Sequence, residues 1–245
     1  MTTSTTDNAT ISSIAAAMAQ PGYLHLTATQ TESLADASAD DWSSFAAEWN
    51  HLVADRYMAD GGTYRLRRYS SFTLDTTTGE FLQQPHSPYL QSMTVNHLNG
   101  GIERHFEPCT AAFCRNPVLR GLLPALGRAF TQAQGSHRWN IKLHPYRILA
   151  TSKSAGQPAP EGRHRDGVTY ITTLMISRCQ ITGGRSTVYT NTGSELTATT
   201  LLQRGELLLA DDNTTLHSVT PILPAEGFDH GHRDVLVIAF TAETP

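Results

Sequence analysis

Glu206-Leu207-Leu208-Leu209-Ala210-Asp211-Asp212-Asn213-Thr214-Thr215-Leu216-His217-Ser218-Val219-Thr220-Pro221-Ile222 reads as two short strands around an acidic turn. The apolar run over residues 206–210 has strand length, the Asp-Asp-Asn cluster supplies turn chemistry, and a second strand-like run opens at His217. The same pattern continues outward. Upstream, Trp139 to Leu143, Tyr146 to Ala150, Tyr170 to Ser177, Arg185 to Tyr189 and Leu196 to Leu202 are short runs punctuated by Gly, Pro, Asn and Asp; downstream, Arg233 to Thr241 is strongly apolar. Many evenly spaced short strands suit a double-sheet jelly roll of the cupin kind, a double-stranded β-helix, over about residues 138–242.

The half before Arg138 mixes helices with strands. Residues 1–10 are rich in Thr and Ser and are expected to be a disordered tail, with a single domain over 11–245. Ile11 to Gln20 predicts a short helix and Tyr23 to Leu26 a strand. A helical stripe of Trp42, Phe45, Ala46, Trp49, Leu52, Val53 and Tyr57, capped by Asp40 or Asp41, is expected to close at Gly61-Gly62. Thr63 to Phe72 alternates like a strand, and its Arg65, Arg67 and Arg68 are expected mostly on a solvated face, with the rim of a substrate entrance as the other reading. Ser92 to Phe106 predicts a hairpin turning at Asn99-Gly100-Gly101. Asn116-Pro117 opens a helical region to about Gln132, which Pro124 is expected to split in two.

Within this frame, Pro160-Glu161-Gly162-Arg163-His164-Arg165-Asp166-Gly167 carries the chemistry. Residues two apart on an extended chain share a face, so His164 and Asp166 can offer an imidazole and a carboxylate to one point. His217 is placed to be a third ligand. Two histidines and one carboxylate form the facial triad that holds non-haem Fe(II) with coordination positions open. A lone His-x-Asp is common by chance, however, and a strand histidine is more often hydrogen-bonded than metal-bound. His164-Arg165-Asp166 also has the form of a kinase catalytic loop, but Ile171 stands where that motif needs Asn. Arg233 adds a fourth element, sixteen residues after His217 at the start of an apolar strand. A charge there is costly unless it meets an anion, and a guanidinium forks onto a carboxylate such as the distal one of 2-oxoglutarate.

Net charge is −4 with no Lys/Arg block, which removes the electrostatic basis for general nucleic-acid binding and favours a small-molecule partner. Cys109, Cys114 and Cys179 are odd in number and lack a Cys-x-x-Cys pair, so neither a disulfide scaffold nor a zinc-thiolate site is expected, and a reducing cytoplasm fits. No run reads as a signal peptide or a membrane span. A homodimer is one assembly open to such a chain.

Pro160-Glu161-Gly162-x-His164-x-Asp166-Gly167, Gly183-Gly184, Asp211-Asp212 before Leu216-His217-x-Val219-Thr220-Pro221-Ile222, and the Arg233 strand together resemble the bacterial Fe(II)/2-oxoglutarate dioxygenases that hydroxylate free L-amino acids, the L-isoleucine dioxygenase-like group. Upstream, Arg65-x-Arg67-Arg68-Tyr69 and Asn96-x-x-Asn99-Gly100-Gly101-Ile102-x-Arg104 resemble it more loosely. The chain departs from the family at Arg185 and Thr190, where an acidic residue and an Asp are usual. The resemblance implies Fe(II) on His164, Asp166 and His217, 2-oxoglutarate on Arg233, O2 as oxidant, and hydroxylation coupled to decarboxylation of 2-oxoglutarate to succinate. A free amino acid needs an anion for its ammonium, for which Glu161 is a candidate, its other reading being to orient a group behind the metal ligands; the substrate carboxylate needs a cation, for which Arg147, Arg104 and Arg67 are unranked candidates. His230 and His232 form a Gly-spaced pair expected at the surface. Two other readings use the same triad: a zinc hydrolase with a metal-bound water, which leaves Arg233 unexplained, and a cupin-like metal-binding sensor, which needs no cosubstrate anchor.

Overall fold

The computed structural model describes residues 5–58, 60–91 and 101–243. In chain order its elements are α1 (Thr5–Ala19), β1 (Tyr23–Leu26), α2 (Ala28–Ala35), α3 (Ala39–Ala47), β2 (Val53–Ala54), β3 (Arg65–Arg67), β4 (Ser70–Asp75) and β5 (Phe81–Gln83). Then come α4 (Ala111–Arg115), α5 (Pro117–Gln134), β6 (Arg138–Thr151), β7 (Tyr170–Cys179), β8 (Ile181–Gly183) and β9 (Ser186–Thr190). The last are β10 (Glu195–Thr199), β11 (Leu207–Asp211), β12 (Thr215–Val219), β13 (Ile222–Pro224) and β14 (His230–Ala242).

A nine-stranded antiparallel sheet runs β1-β11-β7-β14-β6-β3-β2, with β4 also on β6 and β5 on β4. The strands β10-β9-β12 make a smaller sheet and β13-β8 a ribbon. The period of two along the central strands sorts side chains into two compartments. On β14, Leu236, Ile238 and Phe240 are fully buried in the helix-side core, whereas Arg233, Val235, Val237 and Ala239 line a cavity on the other face. On β6, Trp139, Ile141 and Leu143 join the same core, and His144, Tyr146 and Ile148 join the cavity. The chain is therefore mostly β with flanking helices, a large sheet whose inner face meets residues of β12 across a cavity of about 1080 Å³. No helix among the described residues is long and apolar enough to cross a membrane.

Packing overrides several local expectations. α5 is one helix through Pro124, not two, because Leu119, Leu122, Leu123, Leu126 and Phe130 are all fully buried. Burial stabilises by about 1.5–3 kcal/mol for each such side chain, which outweighs the roughly 3 kcal/mol a helical proline costs. Strand β6 likewise continues through His144-Pro145. Leu149 N–H donates to Tyr64 O (2.7 Å), so odd-numbered N–H groups of β6 face β3 and β4, and Pro145 sits where those two strands break at Arg68-Tyr69. Its missing donor costs nothing there. The expected strand from His217 to Ile222 divides into β12, paired with β9, and β13, paired with β8.

The N-terminal region also departs from expectation. Of the tail expected over 1–10, residues 1–4 lie outside the described set; α1 starts at Thr5, with Ile11, Ile14 and Met18 buried in the core that α5 fills. Thr27 caps α2, an unexpected helix, through a capping box with Gln30. Ser38, not Asp40 or Asp41, caps α3, and Asp41 is the returning acceptor. That helix ends at Ala47 and passes through a 3-10 turn (Glu48–His51) into β2, so Tyr57 leaves the stripe and packs edge-on against Phe106 at 5.3 Å. Of the expected hairpin over 92–106, residues 92–100 lie outside the described set; Tyr89, before the hairpin, and Arg104, within it, exchange backbone hydrogen bonds of 2.9 and 3.0 Å.

Candidate active site

His164 and His217 face each other as a backbone-bonded pair, each N–H donating to the other's carbonyl at 3.0 Å, with ring centroids 4.3 Å apart. Asp166 follows two residues on, its Oδ2 lying 3.2 Å from His217 Nε2. One ligand atom from each of the three lies within 4.8 Å of the others, the only such grouping among the described residues. His164 Nδ1 lies 3.0 Å from Gly162 O and so carries the hydrogen, leaving Nε2 as the free lone pair. Gly162 reaches this geometry at φ 74°, a conformation that side chains other than glycine's rarely adopt.

A residue that sequence reasoning placed only in a turn fixes the backbone that carries Asp166. Asp212, fully buried, accepts hydrogen bonds from the backbone N–H groups of Asp166 (3.0 Å), Gly167 (2.7 Å) and Val168 (3.0 Å). Burial and the Asp166 charge push the Asp212 carboxyl up. Burial opposes ionisation of Asp166 as well, but the hydrogen bond and charge of His217, with His164 and His144, outweigh it and bring its carboxyl down to about 2. His217 is pulled down by burial and lifted further by Asp166 and Asp212, so it ends above the ordinary imidazole range. Two imidazoles and an ionised carboxylate around one point are a donor set that could hold Fe(II) with positions left open.

Arg233 opens into the same cavity. It is 2% exposed, and its Nε and Nη2 have no partner among the described residues. Burial and the adjacent Arg178 lower its guanidinium to about 10, still charged at neutral pH. A Cβ on Gly184, whose φ is +72°, would stand 3.3 Å from Arg233 Cδ and 3.0 Å from Arg178 Nη1. That close approach accounts for the second glycine of Gly183-Gly184.

The other candidates separate. Glu161, Arg67 and Arg104 line the cavity, and Arg147 does not. As an odd-numbered residue of β6, Arg147 stands on the helix side, where Asp234 takes it in a bidentate pair at 2.8 and 2.7 Å. Arg65 and Arg67 are 8% and 2% exposed rather than a solvated face, since Asp55 receives Arg65 at 2.7 Å and Phe106 lies under Arg67 at 3.5 Å. Arg68 reaches the backbone carbonyls of His51 and Pro108 instead. His144, not anticipated, stands beside Arg67 with Nδ1 2.6 Å from the guanidinium, and burial followed by that charge drives its pKa well down. Its signal was the alternation of His144, Tyr146 and Ile148. His230 and His232 lie at the start of β14, outside the grouping of possible metal ligands.

No curated protein matches this chain. Among solved structures, a bsmA homologue from Methylobium petroleophilum PM1 is 33% identical, with 96% of this chain and 95% of that one covered and a TM-score of 0.88. IDO from Bacillus thuringiensis (17% identity, 96% of both chains, TM-score 0.77) and the Fe(II)/(alpha)ketoglutarate-dependent dioxygenase TqaL (16%, 99% and 91%, TM-score 0.78) share the fold. The family model described as 2OG-Fe dioxygenase matches residues 46–239, which include the triad, Asp212 and Arg233. The chain belongs to the 2OG-Fe dioxygenase family, whose chemistry uses Fe(II), 2-oxoglutarate and O2.

Proposed function

We propose that this chain hydroxylates a free L-amino acid or close derivative. In this reading His164, Asp166 and His217 hold Fe(II), Arg233 receives the distal carboxylate of 2-oxoglutarate, and Arg67, Arg104 and Glu161 face the amino acid. The observation that carries it is the buried guanidinium of Arg233, with unpartnered N–H groups in the cavity that also holds the triad. A buried charge of this kind calls for an anionic ligand.

When bound, the metal supplies O2 activation: one oxygen atom enters a substrate C–H bond, the other enters succinate, and 2-oxoglutarate loses CO2. The chain's own residues prepare for that. Asp212 sets the Asp166 turn through three backbone N–H groups, and the Gly162 carbonyl sets the His164 ring. Glu161, without a hydrogen bond or ion pair among the described residues, offers an anion to an ammonium. Arg67 and Arg104 offer cations to a carboxylate across the same cavity. The domain spans residues 11–245 in this account. A metal-binding sensor or a zinc hydrolase gives the buried Arg233 no partner.

Mass spectrometry of protein supplied with Fe(II), ascorbate, 2-oxoglutarate and a panel of free L-amino acids tests the reading. A product heavier by one oxygen atom, with matching succinate, is expected. Consumption of 2-oxoglutarate that no amino acid stimulates would refute the amino-acid assignment, and no consumption at all would favour the sensor or hydrolase.

A further inference from the structure

One wall of the cavity holds more buried positive charge than the chain neutralises. Arg65, Arg67 and Arg104 line it at 8%, 2% and 3% exposure. A single carboxylate among the described residues stands at ion-pair distance: Asp55 lies 2.7 Å from Arg65 and 3.8 Å from Arg67, while Glu161 and Asp60 act on Arg65 from farther off. The remaining partners are neutral, His144 Nδ1 for Arg67 (2.6 Å) and Gln91 Oε1 for Arg104 (2.7 Å). The Nε of Arg67 and of Arg104 is buried without a hydrogen bond. Among the described residues no other acidic side chain lies within ion-pair distance of the three.

Aromatic faces take part of this charge, with Phe106 3.5 Å from Arg67 and Tyr89 4.7 Å from Arg104. A ring attracts a cation but does not replace an anion at a desolvated site. The neutral groups nearby add to the demand for acceptors. The Arg67 N–H donates to His144 Nδ1, which places the His144 hydrogen on Nε2, an N–H with no hydrogen bond among the described residues. Tyr89 and Tyr146 line the same cavity, and their hydroxyls make no hydrogen bond among the described residues. Beyond Asp166 and Asp212, Glu161 is the one carboxylate among the described lining residues.

We propose that the substrate is an amino acid with a second carboxylate on its side chain. Its two carboxylates divide between Arg67 and Arg104, its ammonium faces Glu161, and the donors of His144, Tyr89 and Tyr146 complete the oxygen shell. An aliphatic amino acid brings one carboxylate, leaving either Arg104 without an anion or Arg67 with only the distant Asp55, which Arg65 holds more closely. This assignment rests on the amino-acid reading above and narrows it.

The test compares L-glutamate and L-aspartate with L-glutamine, L-asparagine, L-leucine and L-isoleucine, measuring hydroxylated product and succinate with the Fe(II) enzyme. It is paired with calorimetric binding to the Mn(II) and 2-oxoglutarate-loaded protein without O2. One of the two acids is expected to exceed its amide and the aliphatic pair by about tenfold or more in both affinity and kcat/KM, the factor for one charged contact. Arg104→Gln is expected to narrow the gap between acid and amide through KM and Kd, without changing the KM for 2-oxoglutarate, and Arg104→Lys to restore part of it. An amide or aliphatic amino acid that is hydroxylated best would overturn the dicarboxylate assignment while leaving amino-acid hydroxylation standing. Binding and turnover with none of the panel would overturn both. An Arg104→Gln enzyme with wild-type discrimination would also overturn the assignment.

Discussion

Replacing Asp212 by Ala should weaken both the fold and the metal site, by amounts that follow from its hydrogen bonds. The side chain is 1% exposed and accepts from three consecutive N–H groups, of Asp166, Gly167 and Val168, at 2.7 to 3.0 Å in the shorter contacts. Hydrogen bonds to a charged group contribute about 1.5–3 kcal/mol each, so three set an upper limit near 5–9 kcal/mol. Burial and the Asp166 charge work against the ionised carboxylate, and the variant is relieved of both. About 3 kcal/mol of net destabilisation is therefore expected, with about 1 kcal/mol for Asp212→Asn, whose amide oxygen still accepts. Because the same three donors orient Asp166, Mn(II) affinity should fall about 10–100-fold in the Ala variant. Urea unfolding of metal-free protein and calorimetric Mn(II) titration measure the two effects. An Ala variant within about 0.5 kcal/mol of wild type, with unchanged metal affinity, would refute the account of Asp212 as the clamp on Asp166.

Three other perturbations have definite signs. Arg233→Ala should raise the 2-oxoglutarate KM about 30-fold or more, the equivalent of about 2 kcal/mol of lost charged hydrogen bonding, and Arg233→Lys should recover only part because the fork is gone; steady-state kinetics at varied 2-oxoglutarate checks both. Gly184→Ala places a methyl 3.3 Å from Arg233 Cδ at φ +72°, so it should cost about 1 kcal/mol or more in thermal unfolding and also raise the 2-oxoglutarate KM. Metal affinity should be flat at high pH and fall about tenfold per pH unit for each imidazole proton displaced, beginning above the ordinary histidine range because His217 is raised. Asp166, with its carboxyl at about 2, stays ionised through that window, and the stability it contributes is in place above its unfolded value of 3.8 and lost as pH falls toward 2. Mn(II) binding by calorimetry across mild acid follows the first effect, and acid unfolding of metal-free protein the second.

Which parts of this molecule could be read in advance follows from how local their causes are. His164 and Asp166 were legible because the period of two acts over three residues, and Arg233 because a charge opening an apolar strand is conspicuous in the sequence itself. The burial of Arg65 and Arg67 was not legible. It depends on Asp55, on Phe106 from a segment some forty residues away, and on Tyr146 across the sheet. The side taken by Arg147 follows from the alternation of its own strand: with Tyr146 and Ile148 facing the cavity, residue 147 faces the helices. Pro124 and Pro145 carry opposite lessons about a single residue type. The first sits inside a helix because burial outweighs its cost, the second inside a strand because the neighbouring ladder is interrupted where its donor would be needed. Asp212 was visible only as part of a turn, since its partners lie more than forty residues earlier and come together only once β11 and β12 are in place.

Anomalous diffraction from crystals grown without O2 in Mn(II) and 2-oxoglutarate tests the central claim most directly. The account predicts one Mn(II) peak within coordination distance of His164 Nε2, an Asp166 carboxylate oxygen and His217, with the distal carboxylate of 2-oxoglutarate on the Arg233 guanidinium. A peak elsewhere, or a cosubstrate carboxylate that leaves Arg233 unpaired, would contradict it.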